Sequence, residues 1–295
     1  MNHSLFAGQL EILCGESPRC AQLCNLRISD CRFGPFVNAI PLSQLTHLSA
    51  EVPCDAFYNL LGQMPNLVDG DFRVGAAESR TSYRFNPETA FPALPAPSST
   101  PLVHNIQTLC LGFEERGSAS LWNRSLKLPK LRHLKLVDSV LNGNECRVII
   151  DDLCQGEVLE SLKIGDIIYS ADAFRSILRR TPRLSKLSFG NVYTNSMSVT
   201  PLTGDILQEM ASGALLPELE TLECRICVAL GDKATPTLDQ HLDMLEGRRK
   251  DTTPARHIAN ITFVSDKKAS PRAACARLDK MKEETAWNIA ALIIP

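Results

Sequence analysis

Apolar residues recur along this chain in a fixed rhythm. The segment LPKLRHLKLVDS, from Leu128 to Ser139, places aliphatic residues at Leu131, Leu134 and Leu136 with Arg, His and Lys between them. The same six-residue phrase, apolar at positions 1, 4 and 6, is written nine times, starting at Leu23, Leu45, Leu67, Ile106, Leu131, Leu159, Leu184, Leu219 and Ile258. Of the 27 residues at positions 1, 4 and 6, only Gly70 is not apolar, with Ala50 and Cys224 counted as apolar. Positions 2, 3 and 5 supply another 27. Four of these, Cys24, Val68, Cys110 and Ala259, are apolar, where the chain's 44% hydrophobic content would place about twelve. Alternate side chains of a strand point to opposite faces. Positions 4 and 6 therefore turn inward together and positions 3 and 5 outward, while position 1 lies just before the strand and faces inward.

Between phrases the period changes to that of a helix. Cys54–Met64, Asn144–Cys154, Ser170–Arg180, Thr203–Gly213 and Thr237–Gly247 carry apolar residues at helical spacing. In Ser170–Arg180 the stripe is Ala173, Phe174, Ile177 and Leu178, with arginines on the far side and Ser170 placed to cap. Proline stands two residues before the phrase at Pro65, Pro129, Pro182 and Pro217, where it ends a helix and opens a strand.

Successive phrases start 22, 22, 39, 25, 28, 25, 35 and 39 residues apart. Five of these gaps fall within the roughly 20–29 residues of a leucine-rich repeat, and the other three read as repeats carrying insertions. One such unit cannot bury its apolar side alone, whereas stacked units share a core. The expected fold is α/β: a leucine-rich-repeat solenoid, or horseshoe, with parallel strands on the concave face and helices on the convex face.

The solenoid is expected over residues 1–264, with an insertion at about 74–101. The Pro-, Ser- and Thr-rich run ESRTSYRFNPETAFPALPAPSSTP reads as a surface loop. Its Tyr83, Phe85 and Phe91 either tuck against the repeats or meet a partner. A shorter loop is expected from Gly190, and one short helical piece ahead of the first phrase. Residues 265–295 read as a C-terminal capping helix, opened by Ser270-Pro271 and carrying Leu278, Met281, Thr285, Ile289 and Leu292 on one face.

Composition narrows the function. A net charge of −2 advertises neither nucleic acid nor an anionic membrane as partner. No apolar run of about 18 residues is present to span a bilayer, and the first 20 residues lack a basic n-region. Eleven cysteines, an odd number, fit reduced thiols in the cytoplasm or nucleus.

Candidate chemistry is sparse. Cys224-Arg-Ile-Cys227 is one CxxC with no second ligand pair, and the repeat grammar accounts for it: Cys224 is an inward position 6 and Cys227 a position 9, where Asn or Cys is allowed. Asp69 and Asp71 could hint at a metal, yet they occupy the outward positions 3 and 5. No phosphate loop, HExxH or GxSxG occurs. No catalytic, cofactor or metal residue is therefore assigned. The outward row is the candidate partner-binding face: His47, Glu51, Asp69, Asp71, Arg73, His133, Lys135, Lys163, Lys186, Glu223 and Arg225. His133, Lys135, Lys163 and Lys186 would lie on adjacent strands as a basic ridge suited to an acidic or phosphorylated peptide. The alternative is an ordinary solvated face.

The P-x-L-x-x-L-x-L phrases, helical repeat lengths and irregular insertions, from about Leu23 to Val264, resemble the ribonuclease-inhibitor-like repeats of fungal F-box/leucine-rich-repeat proteins. In that family an N-terminal F-box binds a Skp1-type adaptor and the repeats present a substrate to a cullin ubiquitin ligase. Here GQLEIL at Gly8–Leu13 echoes the opening of an F-box, and no further F-box is legible before Leu23. The expected function is a non-catalytic, monomeric protein-recognition module, and the resemblance implies the substrate receptor of an F-box-type (SCF) ligase. The alternatives are a free repeat scaffold or regulator, or a thiol-redox protein using Cys224 and Cys227.

Overall fold

The computed structural model of the chain describes residues 10–12, 24–32, 41–75, 102–113, 126–137, 143–153, 158–165, 170–190, 192–194, 197–199, 201–226, 237–249, 258, 260–266, 272–284 and 288–294. The fold is mixed α/β with mostly parallel strands. It divides into two compact units, residues 1–134 with 152–155, and residues 135–151 with 156–295.

In the first unit, β1 (Leu10–Ile12), β2 (Asn25–Arg32), β3 (His47–Pro53) and β4 (Asp69–Gly75) lie side by side, and α1 (Cys54–Gln63) connects β3 to β4. β5 (Leu102–Val103) leads to β6 (Thr108–Phe113), which pairs with β4. β5 pairs separately with β7 (Leu126–Lys127), just ahead of β8 (His133–Val137). All these pairs are parallel except β1 with β2.

The second unit takes Lys135–Val137 of β8 and α2 (Gly143–Leu153) as far as Asp151, then β9 (Ser161–Ile164), α3 (Ala171–Arg180) and β10 (Lys186–Phe189). A ribbon of β11 (Val192–Thr194) and β12 (Met197–Val199) follows, then α4 (Gly204–Ala211), β13 (Thr221–Ile226) and α5 (Leu238–Arg248). The chain continues through β14 (Asn260–Asp266), α6 (Arg272–Glu284) and β15 (Asn288–Ile294). β9, β10, β13, β14 and β15 pair in parallel in that order.

Each of the nine phrases becomes a strand that begins at its position 3, from Asn25 in the first to Asn260 in the last. The backbone reason recurs as well. At six junctions among the described residues the carbonyl at position 2 of one phrase accepts the amides of positions 2 and 3 of the next. Thr46 and His47 donate to Cys24 O at 2.8 and 3.0 Å, Val68 and Asp69 to Thr46 O at 2.8 and 3.0 Å, and Ser185 and Lys186 to Glu160 O at 2.9 and 3.0 Å. The position-1 amide closes a tight turn, Leu67 onto Met64 O, Leu131 onto Leu128 O, Leu184 onto Thr181 O and Leu219 onto Leu216 O, at 3.0 to 3.1 Å. Pro65, Pro129, Pro182 and Pro217 occupy the second residue of these turns, where a φ preset near −65° is favoured. The prolines thus form the corner itself as well as ending helices.

Positions 1, 4 and 6 build the core. Leu159, Leu162, Leu184, Leu187, Leu219 and Leu222 are completely buried. The helices add Phe57, Leu60, Ile149, Ile150, Ile177, Leu178, Ile206 and Leu242. Each such aliphatic side chain removed from water contributes about 1.5–3 kcal/mol. The capping residues act as the sequence implies. Ser170, Thr203 and Thr237 each accept the amide three residues on, and Gln240 returns the bond to Thr237 N at 2.8 Å.

Gly70, the exception at position 4, has a packing explanation. A Cβ built there would lie 2.4 Å from Phe72 Cε2. The Phe72 ring therefore occupies the slot a leucine would fill, edge-to-face with Phe57 at 5.1 Å between centroids.

Four expectations are corrected. Ahead of the first phrase, where a short helical piece is expected, the described residues Leu10–Ile12 form a strand antiparallel to Leu26–Ile28. Leu10 and Ile12 flanking Glu11 give a period of two. The segment after Gly190, expected to be a loop, holds the antiparallel β11–β12 ribbon, whose Val, Tyr and Thr residues favour strands. The insertion begins later than expected, since Val74 and Gly75 belong to β4 and are buried, while 76–101 lie outside the described residues. The C-terminal helix stops at Glu284, and Asn288–Ile294 is a strand parallel to β14. Ile289 and Leu292 fit a helical stripe, but Ile289-Ala-Ala-Leu-Ile-Ile294 is a continuous apolar run, the signature of a parallel strand.

Charge links neighbouring helices of the second unit. Arg180 of α3 meets Asp151 of α2 as an ion pair not aligned for a hydrogen bond. Arg179 bonds Glu209 of α4 at 3.2 Å. Arg277 of α6 spans Asp243 at 2.7 Å and Glu246 at 2.8 Å on α5, with Asp239 at 3.5 Å, and its bonds to Glu246 and Asp243 raise its pKa. α4 and α5 touch closely, as a Cβ at Gly247 would lie 2.9 Å from that of Ala211. Arg248, 1% exposed, donates to Met210 O at 2.9 Å, Leu216 O at 3.1 Å, Pro217 O at 3.2 Å and Leu219 O at 3.3 Å. It thereby satisfies the end of α4 and a turn in which Leu216 sits at φ 50°.

Two predictions follow from this packing. Gly70→Leu costs about 3 kcal/mol by overpacking against Phe72. Combined with Phe72→Leu it costs at least about 1 kcal/mol less than the two single changes summed, as urea midpoints read. The second concerns His241, which is buried and donates Nδ1–H to Thr237 O at 2.8 Å; burial lowers its pKa from 6.5 to about 4. Between those values the unfolded chain binds a proton that the folded chain refuses. Stability from this group is therefore full above pH 6.5 and falls as the pH drops toward 4. On going from pH 7 to pH 4.5, wild type loses about 2 kcal/mol more than His241→Leu in urea unfolding.

Candidate functional site

The outward positions of the strands form the candidate face, described separately in each unit. In the first unit, the register sets His47 beside Asp69, Ser49 beside Asp71 and Glu51 beside Arg73 on β3 and β4. His47, Asp71 and Arg73 are exposed, while Asp69 and Glu51 are half-buried. Thr46 Oγ1 and His47 Nδ1 are 2.8 Å apart, which fixes the ring against its own strand. Arg27, a position-5 residue exposed on β2 opposite Ser49, belongs to the same row. With Arg27 and Arg73 flanking Asp69 and Asp71, this face is mixed in sign. His133 is exposed at the start of β8, where its amide joins Gln107 O at 3.0 Å.

In the second unit the cations come together. Gly190 N donates to Ile164 O at 3.1 Å in the β9–β10 pair, where Phe189 lies opposite Ile164. Gly165 N donates to Leu136 O at 2.7 Å in the same way, which sets Leu136 opposite Ile164 and Lys135 opposite Lys163. Ser188 follows Lys163 in the row, and Glu223 follows Ser188. Lys186 lies on β10 two residues before Ser188, beside Ser161 and Thr221. Lys135, Lys163, Lys186 and Glu223 are all exposed, and no ion pair among the described residues engages them. Arg225 lies in β13, and its side chain is outside the described residues.

The strands hold these groups rigidly, because each outward residue is flanked by inward ones with no freedom to turn. Lys163 stands between Leu162 and Ile164, and Ser188 between Leu187 and Phe189, all four buried. A one-residue slip would expose every leucine of the strand.

Buried polar groups serve the fold. His104 is 4% exposed and donates Nε2–H to Met64 O at 2.7 Å, and burial lowers its pKa. The Arg248 guanidinium is lowered to about 10 by burial and stays charged at neutral pH. Among the described residues no group of three or more His, Cys, Asp or Glu is placed to hold a metal, and no helix is long and apolar enough to cross a membrane. Cys224 is 4% exposed and desolvation pushes its thiol up to about 12, which suppresses the thiolate. Cys227 lies outside the described residues.

No family model matches the chain, and no curated protein matches it.

The state of Cys224 is directly measurable. In a single-cysteine variant retaining only Cys224, an aromatic disulfide reagent at pH 7.5 reacts at least about a hundredfold more slowly in buffer than in denaturing urea. Equal rates would show an accessible thiol and contradict the buried position-6 assignment.

Proposed function

We propose that the chain is a leucine-rich-repeat solenoid, with its parallel strands along the concave side of a horseshoe and its helices on the convex side. In this reading it acts as a non-catalytic protein-recognition module in the cytoplasm or nucleus. The outward row of positions 3, 5 and 7 is the surface that meets the partner.

The observation that carries this reading is the repeated backbone bond at position 2. The same bonds, turns and strand starts recur phrase after phrase, as expected of units that each contact only their neighbours. The row left outward is polar and ordered, and in the second unit it presents uncompensated charge. These are the qualities of a surface built for contact rather than for chemistry. The substrate-receptor form of this function, in an F-box-type ubiquitin ligase with a Skp1-type adaptor, rests on the resemblance of the repeats. β1 gives it no support, since Leu10–Ile12 is a strand where the F-box would begin with a helix. A repeat scaffold or regulator outside ubiquitination shares the same face and needs no adaptor. The buried, high-pKa Cys224 weighs against a thiol-redox role.

Site-specific photo-crosslinking tests the reading. A photoreactive residue at Ser161 or Thr221, in the outward row, captures one protein partner from cell extract. The same residue at Asp172, on the exposed side of α3, does not. The triple reversal Lys135→Glu, Lys163→Glu, Lys186→Glu weakens that partner at least about tenfold with an unchanged far-ultraviolet circular dichroism spectrum. Capture from Asp172 alone would place recognition on the helices and overturn the reading. Stoichiometric co-purification with a Skp1-type adaptor would identify the receptor form, and a stable partner without the adaptor would identify the scaffold.

A further inference from the structure

We infer that the second unit reads an extended acidic peptide segment in the order acid-x-acid-x-base, laid across the strands from β8 to β13. The inference rests on the recognition reading above and names the ligand of that face.

The argument starts from a repulsion. Lys135 and Lys163 lie directly opposite one another on adjacent strands. Like charges at opposed positions destabilise a strand pair. No ion pair among the described residues engages either ammonium group, while Arg175, Arg179, Arg180 and Arg277 pair with Asp151, Asp205, Glu209, Asp239, Asp243 and Glu246 on the helices. A ligand with carboxylates over both ammonium groups removes this repulsion and gains two charge-assisted hydrogen bonds.

The spacing then sets the order. Adjacent strands lie about 4.8 Å apart. Along the row Lys135, Lys163, Ser188 and Glu223, the charged stations fall at roughly 0, 5 and 14 Å. An extended peptide presents side chains to one side about every 6.7 Å. Residues i, i+2 and i+4 therefore reach roughly 0, 7 and 13 Å and meet Lys135, Lys163 and Glu223, within the swing of lysine and glutamate side chains. Lys186, one strand on from Lys163 and displaced two residues along β10, flanks the second acid. Glu223 closes the row with opposite sign and selects a base at i+4. A ridge of one sign would accept any polyanion, whereas a row ending in Glu223 repels a third acid.

Fluorescence anisotropy at low salt tests this with labelled ten-residue peptides centred on Asp-Ser-Asp-Ser-Lys, Asp-Ser-Asp-Ser-Asp and Lys-Ser-Lys-Ser-Asp. The wild-type chain is expected to bind the first about three- to fivefold more tightly than the second, with the third weakest, and to lose the differences in 1 M salt. Glu223→Lys inverts the preference between the first two. Lys135→Glu with Lys163→Glu makes the third peptide the tightest. A fourth peptide with phosphoserine in place of both aspartates separates the sources of negative charge. Binding no tighter than the aspartate peptide supports carboxylate reading, and binding confined to the phosphopeptide overturns it. A preference that Glu223→Lys leaves unchanged also overturns the proposed order. If that happens while crosslinks still issue from Ser161 and Thr221, the charge order falls and the recognition reading stands.

Discussion

The structure depends on a backbone carbonyl that serves two amides. At six junctions among the described residues the position-2 carbonyl of one phrase receives the position-2 and position-3 amides of the next, so those strands start in step with their predecessors. Step matters because the side-chain period of a strand is two. Once position 3 is pinned as the first strand residue, positions 4 and 6 must face inward and 3 and 5 outward. The leucines fill the inward side, the tight turn delivers the position-1 leucine beside them, and the prolines pre-shape that turn. Removing a single leucine would leave a cavity, but loss of step would invert a whole strand.

That constraint explains why so much of the architecture was readable before any coordinates. The nine strand starts and five helices follow from two periodicities that do not overlap, 2.0 in the phrase and 3.6 between phrases. What escaped has physical causes. The segment Asn288–Ile294 is apolar on every side and so fits either period locally; what decides for strand is the open side of β14 beside it, a property of the fold and not of the segment. The short strand at Leu10 contains too few residues to establish a period. The Gly70 exception was visible as a gap in the rhythm. Its filling by Phe72 was not, because it depends on one ring folding back along its own strand. Arg248 was equally hidden, since nothing in a helix ending LEGRR says that one arginine will be drawn inside to hold four carbonyls.

The candidate face was legible as a set of positions and less so as a pattern of charge. The phrase told which residues point outward. Register told which of them are neighbours, and it changed the picture in both units. Arg27 and Arg73 join the acids of the first unit and make its face mixed. In the second, Lys135 and Lys163 are brought into direct opposition, with Glu223 two places beyond Lys163 in the row. No ion pair among the described residues engages these lysines, so the ridge keeps its charge. Within the second unit the repeated strand register therefore arranges the outward residues into a row with a defined order of sign.

The most direct test is a cysteine-accessibility scan along β9 and β10 in a cysteine-free background. Single cysteines at 161, 163, 186 and 188 should react with a soluble thiol reagent at rates near those of an unfolded peptide. Those at 162, 164, 187 and 189 should be protected by at least about a hundredfold until urea unfolds the chain. Rates that fail to alternate, with the inward positions labelling as fast as the outward ones, would show that the strands do not start in step and would contradict the account.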